Sequence, residues 1–263
     1  REPLRTTTTQ GDALKAIILT AGQGRRLSPL TDETPKSAVR VGDRAILEWQ
    51  LGELAQAGID EVVAVTGFQP HAVEAILAND WGMSVRTVHN PFYAHADNLG
   101  TCWAARAEFD GSFLLINGDT LFEADVVRSL LAGSERHPIT LATDHKGVYD
   151  DDDMKVVVRD DGRLLHVGKR LARDHVNGES IGMMLFHGVG PALFRQKVED
   201  VVRRDDGLRK WYLSAIDELA RERHVGSCSI HGLGWCEIDY RADLEHATRL
   251  VRAFNPLPIV AEA

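Results

Sequence analysis

Cysteine is scarce in this sequence, and long apolar runs and an excess of positive charge are missing. The three cysteines (Cys102, Cys228 and Cys236) form no C-x-x-C pair. So sparse a set is typical of a reduced cytosolic protein rather than of a disulfide framework. No apolar run approaches the ~18 residues that a membrane span requires. We therefore expect a cytoplasmic protein with no membrane partner.

The overall charge argues against nucleic acid as a bulk partner. With 39 acidic and 30 basic side chains, the formal net charge is -9, whereas nucleic acids and anionic membranes are bound through basic surfaces. The cations that follow the first predicted strand are therefore a local exception that indicates a site. Two other charged features, Arg25 and the acidic run at 150–152, are interpreted as solvated loop charges. The sequence composition does not decide whether the protein forms a homodimer.

Both ends of the chain are predicted to lie outside the folded domain. Residues 1–13 are polar and lack the apolar segment of a secretion signal, which indicates a flexible leader. Residues 255–263 are interpreted as a tail. Residues 14–254 lie between them in a chain of ordinary globular composition, with 44% apolar and 26% charged residues, and predict a single domain.

Apolar runs alternate with helical patterns along the first half of the chain. Four β-prone runs are each followed by a helical stripe, namely "KAIILT", "EVVAVTG", "SVRTVHN" and "SFLLINGD". Four consecutive βα units predict an α/β fold with a Rossmann-like doubly wound sheet, whose ligands bind beyond the carboxyl ends of the strands. From about His137 the pattern changes to strands with a hairpin turn at "RDDG", two helices, a strand pair ("VGSCSI" and "WCEID") and a last helix. The complete sheet is therefore predicted to be mixed.

A glycine-rich loop follows the first predicted strand. Gly22 and Gly24 allow the backbone to approach a ligand and to present N–H groups to an anion. A dinucleotide-binding loop would need a third glycine where Leu27 stands, and the G-x-x-x-x-G-K-[ST] pattern of a Walker loop is absent. The remaining interpretation is a loop around a nucleoside triphosphate, with Arg26 and Lys36 as phosphate clamps.

Residues 19–51, "LTAGQGRRLSPLTDETPKSAVRVGDRAILEWQL", resemble the signature of the sugar-phosphate nucleotidyltransferase family, L-x-A-G-x-G-x-R-L-x-P-L-T followed by P-K. The resemblance implies a nucleotide-diphospho-sugar transferase (GT-A-like) fold in a single domain. It implies a nucleotide-binding half at 14–136 and an acceptor-binding half at 137–254. Arg26 would reach the leaving pyrophosphate, and Lys36 would reach the α-phosphate or the incoming phosphate.

The same resemblance implies contacts to the base and ribose. Family members place an L-G-T sequence near the base, and Leu99-Gly100-Thr101 resembles it. Asn98, at a predicted helix start, is equally well explained as a base contact or as a helix N-cap. The residues predicted to bind the nucleotide are Leu19, Ala21, Gly22, Gly24, Asn98, Gly100 and Thr101.

Two aspartates end strand-like runs that are far apart in the sequence. Asp119 closes "FLLINGD" and Asp239 closes "GWCEID". Two carboxylates that converge from strand ends suit Mg²⁺, and in the family resembled these positions carry the metal. Alternatively, each aspartate caps the helix that follows it. Glu237 is not counted as a ligand.

The acceptor is implied to bind in the second half of the chain. In the family a lysine after the hairpin commonly reaches the acceptor phosphate, and Lys169 matches that place. Lys155 matches an M-K pair of members that use phosphocholine, phosphonates or inositol phosphate, and Glu179 falls in a stretch that resembles the acceptor pocket. Trp211 and Tyr212 would suit a cationic head group through cation–π attraction, or they pack in the core.

Together these features predict an Mg²⁺-dependent nucleotidyltransferase. It would transfer NMP from an NTP, with CTP favoured, to a small phosphomonoester or phosphonate and release pyrophosphate. The second half resembles cytidylyltransferases of the phosphocholine, aminoethylphosphonate and inositol-1-phosphate type. The L-G-T stretch instead favours a guanylyl- or thymidylyltransferase acting on a sugar- or cyclitol-1-phosphate. A catalytically silent nucleotide-binding regulatory protein is the alternative from another class.

Overall fold

The computed structural model describes residues 14–133 and 136–254 of the chain. The predicted leader at 1–13 and the predicted tail at 255–263 lie outside the described residues. The first apolar run forms β1 at Lys15–Leu19, and all of its residues are buried. The division into two halves at 136/137 stays a prediction.

The remaining elements follow the predicted order with three short additions, β2, β3 and β7. The further strands are β2 Arg40–Val41, β3 Arg44–Ala45, β4 Glu61–Thr66, β5 Ser84–His89, β6 Phe113–Asn117, β7 Thr120–Phe122, β8 Ile139–Asp144, β9 Lys155–Val158, β10 Leu164–Gly168, β11 Gly178–Phe186, β12 Val225–Ser229 and β13 Trp235–Glu237. The helices are α1 Ile46–Gln56, α2 Pro70–Leu77, α3 Asn98–Ala104, α4 Ala124–Ala132, α5 Gly190–Val202, α6 Leu213–Arg221 and α7 Asp243–Val251.

Nine of the described strands form one mixed sheet. Its order is β10-β9-β11-β6-β1-β4-β5, while β8 pairs with β11 and β12 pairs with β8. β1 is parallel to β4 and β6, and β4 is parallel to β5, as the four βα units predict. β11 is antiparallel to β6, β8 and β9. The predicted Rossmann-like mixed sheet in an α/β domain is therefore confirmed.

The alternation of side chains along β1 separates two layers of the core. Ile17 and Leu19 belong to the layer that contains apolar residues of α3, α5 and α6. Ala16 and Ile18 belong to the layer that contains those of α1, α2 and α4. Because helices cover both faces of the sheet, the inner strands carry consecutive apolar residues, such as Ala16, Ile17, Ile18 and Leu19 of β1, and this produced the apolar runs in the sequence.

A third, smaller core lies outside the main sheet. It joins Leu27 of the glycine loop to Leu121 of β7, to Ile238 beyond β13 and to apolar residues of α7. β7 and β13 form an antiparallel ladder there, with Thr120 opposite Glu237. The predicted pairing of "VGSCSI" with "WCEID" is wrong. β12 extends the main sheet beside β8, whereas β13 leaves that sheet to pair with β7.

The helices of the described chain are short. None of them combines the length and the hydropathy needed to cross a bilayer. The three cysteines are unpaired, and Cys102 and Cys236 are buried, as expected of small apolar side chains.

Candidate active site

The glycine loop is held to the sheet and to itself by hydrogen bonds. The backbone N–H and the side chain Oγ1 of Thr20 both donate to the carbonyl of Val65, at 3.1 and 2.9 Å. Thr31 Oγ1 donates to the carbonyl of Gly24 at 2.8 Å. Gly24 has a φ of 75°, and a Cβ at this position would lie 2.7 Å from the Cβ of Lys36. Glycine is required at residue 24 because the Lys36 side chain passes against the loop there.

Lys36 joins the two predicted aspartates at one point. Its Nζ donates to Asp119 Oδ2 at 2.7 Å and to Asp239 Oδ1 at 2.6 Å, and only 13% of the side chain is exposed. Arg26 Nη1 lies 3.6 Å from Asp239 Oδ2. Burial alone would lower the pKa of Lys36, but the two carboxylates outweigh burial and raise it. The structure thus gathers the four charged residues that the sequence analysis singled out.

The ladder between β7 and β13 brings the two aspartates together. Asp119 directly precedes β7, and its carbonyl accepts the N–H of Ile238 at 3.1 Å. The alternative that Asp119 and Asp239 cap helices is wrong. β7 intervenes before α4 begins at Ala124, and α7 begins only at Asp243. Neither helix start carries a hydrogen bond from an N-cap side chain.

The turn that carries Asp119 is held by hydrogen bonds from Gln50, which the sequence analysis missed. Gln50 on α1 is buried, and its Nε2 donates to the carbonyls of Asn117 and Thr120, at 2.8 Å each. These two carbonyls flank Asp119 in the chain. No motif marks Gln50, but a polar residue on the apolar face of a predicted helix is a signal that could have found it.

Glu237 lies beside the two aspartates. Burial, reinforced by the charges of Asp119 and Asp239 and opposed by Lys36, raises the pKa of Glu237 to about 8. Glu237 also lines the second cavity described below, and its exclusion from the metal ligands stays a prediction.

A first cavity of about 320 Å³ opens at the carboxyl ends of β1 and β6. It runs from the glycine loop to the start of α3. Five of the residues predicted to bind a nucleotide line it, together with Lys36 and Asp119; they are Leu19, Ala21, Gly22, Asn98 and Thr101.

Gly24 and Gly100 were also predicted to contact the nucleotide, but neither lines the first cavity. Gly24 makes room for the Lys36 side chain, as described above. At Gly100 a Cβ would lie 2.5 Å from the Cβ of Ala96. The glycine in the L-G-T stretch therefore permits close packing of α3 against the preceding loop, and the prediction for both glycines is corrected accordingly.

Two asparagines and a tyrosine join the sheet to α3 and α6. Asn98, the first residue of α3, accepts the N–H of Tyr212 at 2.8 Å, so it is not an N-cap. Tyr212 is fully buried, and its hydroxyl donates to Asn117 Oδ1 at 3.0 Å. Asn117 lines the cavity at the end of β6 and was missed, although its place at a strand's carboxyl end could have identified it. Tyr212 belongs to the core.

A second cavity of about 210 Å³ continues from the first. The two share Asn98, Asn117, Asp119 and Trp211 as lining residues. Trp211 is 42% exposed, and Lys169 Nζ lies 4.9 Å from the centre of one of its rings. The predicted residues Arg26, Lys169 and Asp239 line this second cavity as well.

Asp152 reaches into the second cavity, although the acidic run that contains it was interpreted as a solvated loop. Its Oδ1 lies 3.3 Å from Lys169 Nζ and 3.6 Å from Arg26 Nη2. Its Oδ2 accepts the hydroxyl of Tyr240 at 2.7 Å. One carboxylate thus bridges two cations that are suited to a phosphate, although its side chain is 46% exposed, as expected of a loop charge.

Lys155 and Glu179 were predicted to bind the acceptor, but neither lines the two cavities. Lys155 is 1% exposed, and its Nζ donates to the carbonyls of Asp153 and Lys169, at 3.3 and 3.1 Å. Glu179 is buried and pairs with Lys146 at 3.0 Å. Both residues hold the loops that surround the second cavity, so the structure places them in supporting positions rather than in the pocket.

Comparison with known proteins shows which family the chain resembles. A sequence profile described as the MobA-like NTP transferase domain matches residues 16–219. CTP:phosphoglutamine cytidylyltransferase of Campylobacter jejuni is 23% identical over 253 residues, which cover 88% of this chain and 98% of that protein. CMP-5'-(3-aminopropyl)phosphonate synthase of Streptomyces rubellomurinus is 36% identical over 123 residues. This second match spans 46% of the chain and only 20% of the relative.

Solved structures share the fold of the chain. The inositol-1-phosphate CTP transferase from T. maritima superimposes with a TM-score of 0.75 at 19% identity, over 93% of this chain and 99% of that one. The similarity therefore extends over the whole α/β domain, including the antiparallel strands of the second half.

Proposed function

Because the chain belongs to the MobA-like NTP transferase family, we propose that it transfers CMP from CTP to a small phosphomonoester or phosphonate and releases pyrophosphate. The relatives support CTP, since the names of the C. jejuni and S. rubellomurinus proteins carry CTP and CMP. The acceptor class follows from the cations of the second cavity and from the phosphorylated or phosphonate groups in the same names.

The observation that carries the proposal is the convergence on Lys36. Lys36, Asp119 and Asp239 come from distant parts of the chain. Lys36 Nζ lies 2.7 Å from Asp119 Oδ2 and 2.6 Å from Asp239 Oδ1, at the edge of the first cavity. Phosphoryl-type transfer needs positioning and charge neutralisation rather than a catalytic triad. A lysine poised between two carboxylates supplies a movable positive charge to such a reaction.

The two aspartates also fit a divalent cation. Asp119 Oδ1 is buried and has no hydrogen-bond partner among the described residues, which is a costly state unless a ligand completes it. Carboxylate oxygens are the ligands that Mg²⁺ prefers, with the remaining positions taken by water and phosphate oxygens. Asp119 and Asp239 would hold this ion, which when bound neutralises charge on the phosphate oxygens.

The residues of the first cavity would hold the nucleotide. The backbone of residues 19–22 and the side chains of Asn98 and Thr101 line the volume proposed for the base and ribose. Lys36 would then contact the α-phosphate and Arg26 the leaving pyrophosphate. A release of Lys36 from Asp119 and Asp239 towards the phosphates would accompany binding, because the same Nζ cannot saturate both.

The acceptor would bind in the second cavity, with its phosphate at Lys169. An acceptor oxygen forms a bond to the α-phosphorus, and the bond from that phosphorus to the bridging oxygen of the pyrophosphate breaks. A phosphomonoester has a second pKa of ~6, so it is largely dianionic near neutral pH and needs no general base. Trp211 lies between the two cavities and would border both substrates.

Pyrophosphate release tests the proposal directly. CTP, GTP, UTP and dTTP are each combined with phosphocholine, 2-aminoethylphosphonate, inositol-1-phosphate and glucose-1-phosphate in the presence of Mg²⁺. We expect turnover with CTP and one of the first three acceptors, and turnover lowered about 10²-fold to 10³-fold for Asp119→Asn. Preference for GTP or dTTP with glucose-1-phosphate would support the sugar-phosphate alternative. Nucleotide binding without turnover in any mixture would support the regulatory alternative.

A further inference from the structure

A group of metal-ligating side chains lies outside both cavities of the active site. Asp144 is the last residue of β8, His145 follows it, and His231 lies just beyond the end of β12. These two strands are parallel neighbours, with Thr143 opposite Ser229. Their carboxyl ends therefore bring the three side chains to one place, and none of the three lines the active-site cavities.

The distances in this cluster suit a shared metal ion. One ligand atom from each of the three residues lies within 4.8 Å of the others, and His231 Nδ1 lies 3.0 Å from Asp144 Oδ1. Two ligand atoms at about 2.0–2.1 Å from one tetrahedral zinc are roughly 3.3 Å apart. The two imidazole rings stack with centroids 3.8 Å apart.

The carboxylate of the cluster is oriented by neighbours, as metal-binding carboxylates commonly are. Trp235 Nε1 donates to Asp144 Oδ2 at 2.8 Å, and the backbone N–H of His145 donates to Oδ1 at 2.8 Å. These two hydrogen bonds hold the carboxylate of Asp144 in one orientation.

We propose that Asp144, His145 and His231 form a second metal site, selective for zinc-class divalent transition ions. Two imidazoles and one carboxylate form a donor set that such ions prefer, whereas Mg²⁺ prefers oxygen donors alone. Among the described residues, this is the one group of three or more acidic, histidine or cysteine side chains close enough to share an ion. Water would occupy the fourth position of a tetrahedral ion, because both histidines are exposed.

The position of the site gives it a structural role that does not depend on the proposed function. The residue after His145 is Lys146, whose Nζ bonds to Asp153 at 2.8 Å and to Glu179 at 3.0 Å. A metal ion bound by His231 and by Asp144 and His145 would connect the end of β12 to the beginning of the loop at 145–154. That loop carries Asp152 into the second cavity.

Zinc titration of the untagged full chain tests the proposal. The double variant Asp119→Asn, Asp239→Asn removes the carboxylates of the active site, and isothermal calorimetry then counts the remaining zinc sites. We expect one site in this background. It should be lost when His145→Gln or His231→Gln is added, and weakened about 10-fold to 100-fold by Trp235→Phe, which removes the hydrogen bond that orients Asp144. His71→Gln, which alters an exposed histidine paired only with Glu74, should leave binding unchanged.

Two further measurements test the zinc site if the double variant does not fold and identify its donor atoms. If the double variant does not fold, wild-type protein in excess Mg²⁺ replaces it, since Mg²⁺ occupies oxygen sites and leaves imidazole sites free. Cobalt substitution then reports the donors by its visible absorption spectrum. Absence of zinc binding, zinc binding that persists in both histidine variants, or a cobalt–thiolate band that assigns the ion to cysteine would each overturn the proposal.

Discussion

The two cavities of the active site are built by different means. The first is lined by the glycine loop and by buried groups, among them Lys36 and the turn held by Gln50, with Tyr93 and Trp211 exposed at its edge. The second is bordered by charged side chains that reach in from loops, such as Arg26 and Asp152, whose side chains are 47% and 46% exposed. A fixed cavity beside an adjustable one suits a reaction with one constant substrate and one variable substrate. Changes in the first should therefore lower kcat, and changes in the second should alter KM.

Asp119→Asn should have the largest effect. It removes one of the two carboxylate charges that face Lys36 and replaces one carboxylate oxygen by an NH₂ group, which cannot bind a metal ion. The loss of one preorganised electrostatic group typically lowers kcat about 10²-fold to 10³-fold. Steady-state pyrophosphate release measures this loss, and removal of divalent ions by EDTA should match it and be reversed by Mg²⁺.

Asp125→Asn is the control for this change, because Asp125 lies on nearby α4, is exposed and pairs with Arg128. Its activity should equal that of the wild type. Full activity of Asp119→Asn would mean that the cavity does not perform nucleotidyl transfer.

Gln50→Leu should have the next largest effect. It tests whether the first cavity depends on the turn that Gln50 holds in place. The change leaves the carbonyls of Asn117 and Thr120 without their donor, which costs about 1–3 kcal/mol of stability. Displacement of Asp119 should lower kcat about 10-fold to 100-fold, while the acceptor KM stays unchanged. Gln56→Leu, a half-buried position on the same helix, is the control. An equal loss of kcat in both variants would show that Gln50 acts on stability alone.

The contrast between the cavities also explains what could be predicted from the sequence. Arg26 and Lys36 lie in a continuous motif, and Asp119 and Asp239 follow apolar runs at strand ends, so local pattern was enough to select them. The fold and the family followed from the same runs and motif, and both predictions are confirmed. The sheet order places strand ends together without any knowledge of side-chain packing.

The second cavity depends on loop packing, which local pattern does not encode. Lys155 and Glu179 have the residue types expected of an acceptor site, yet the first bonds to backbone carbonyls and the second pairs with Lys146. Asp152 looked like one of several solvated charges, yet the loop folds it onto Arg26 and Lys169. In both cases the decisive partner lies in another loop, and nothing in the neighbouring sequence identifies it.

Lys169→Met tests the role of the second cavity. Lys169 borders the second cavity and not the first, so the acceptor KM should rise while the KM for CTP stays constant. A charge-assisted hydrogen bond contributes about 1.5–3 kcal/mol, which corresponds to a rise of roughly 10-fold to 100-fold. Lys210→Met is the control, because Lys210 lies next to Trp211 but pairs with Asp206. An increase in the KM for CTP alone would assign Lys169 to the nucleotide.

Asp152→Asn should have the smallest effect and the opposite sign. In the free protein its carboxylate bridges Lys169, which is proposed to receive the acceptor phosphate, and Arg26, which is proposed to contact the pyrophosphate. The acceptor must displace this carboxylate or share Lys169 with it. Exposed ion pairs contribute about 0.2–1 kcal/mol, so the change should lower the acceptor KM by up to about fivefold, as measured by pyrophosphate release at saturating CTP.

The acceptor's own charge sharpens this last prediction. For an anionic acceptor such as inositol-1-phosphate, loss of the competing carboxylate leaves only a gain in affinity. For an acceptor with a cationic group, such as phosphocholine, this carboxylate lines the same cavity as Trp211 and would instead attract that group, so that its loss would raise the KM. Asp174→Asn, an exposed change beside His175, should alter neither value. An unchanged KM for both acceptors in Asp152→Asn would show that the acceptor phosphate does not bind at Lys169.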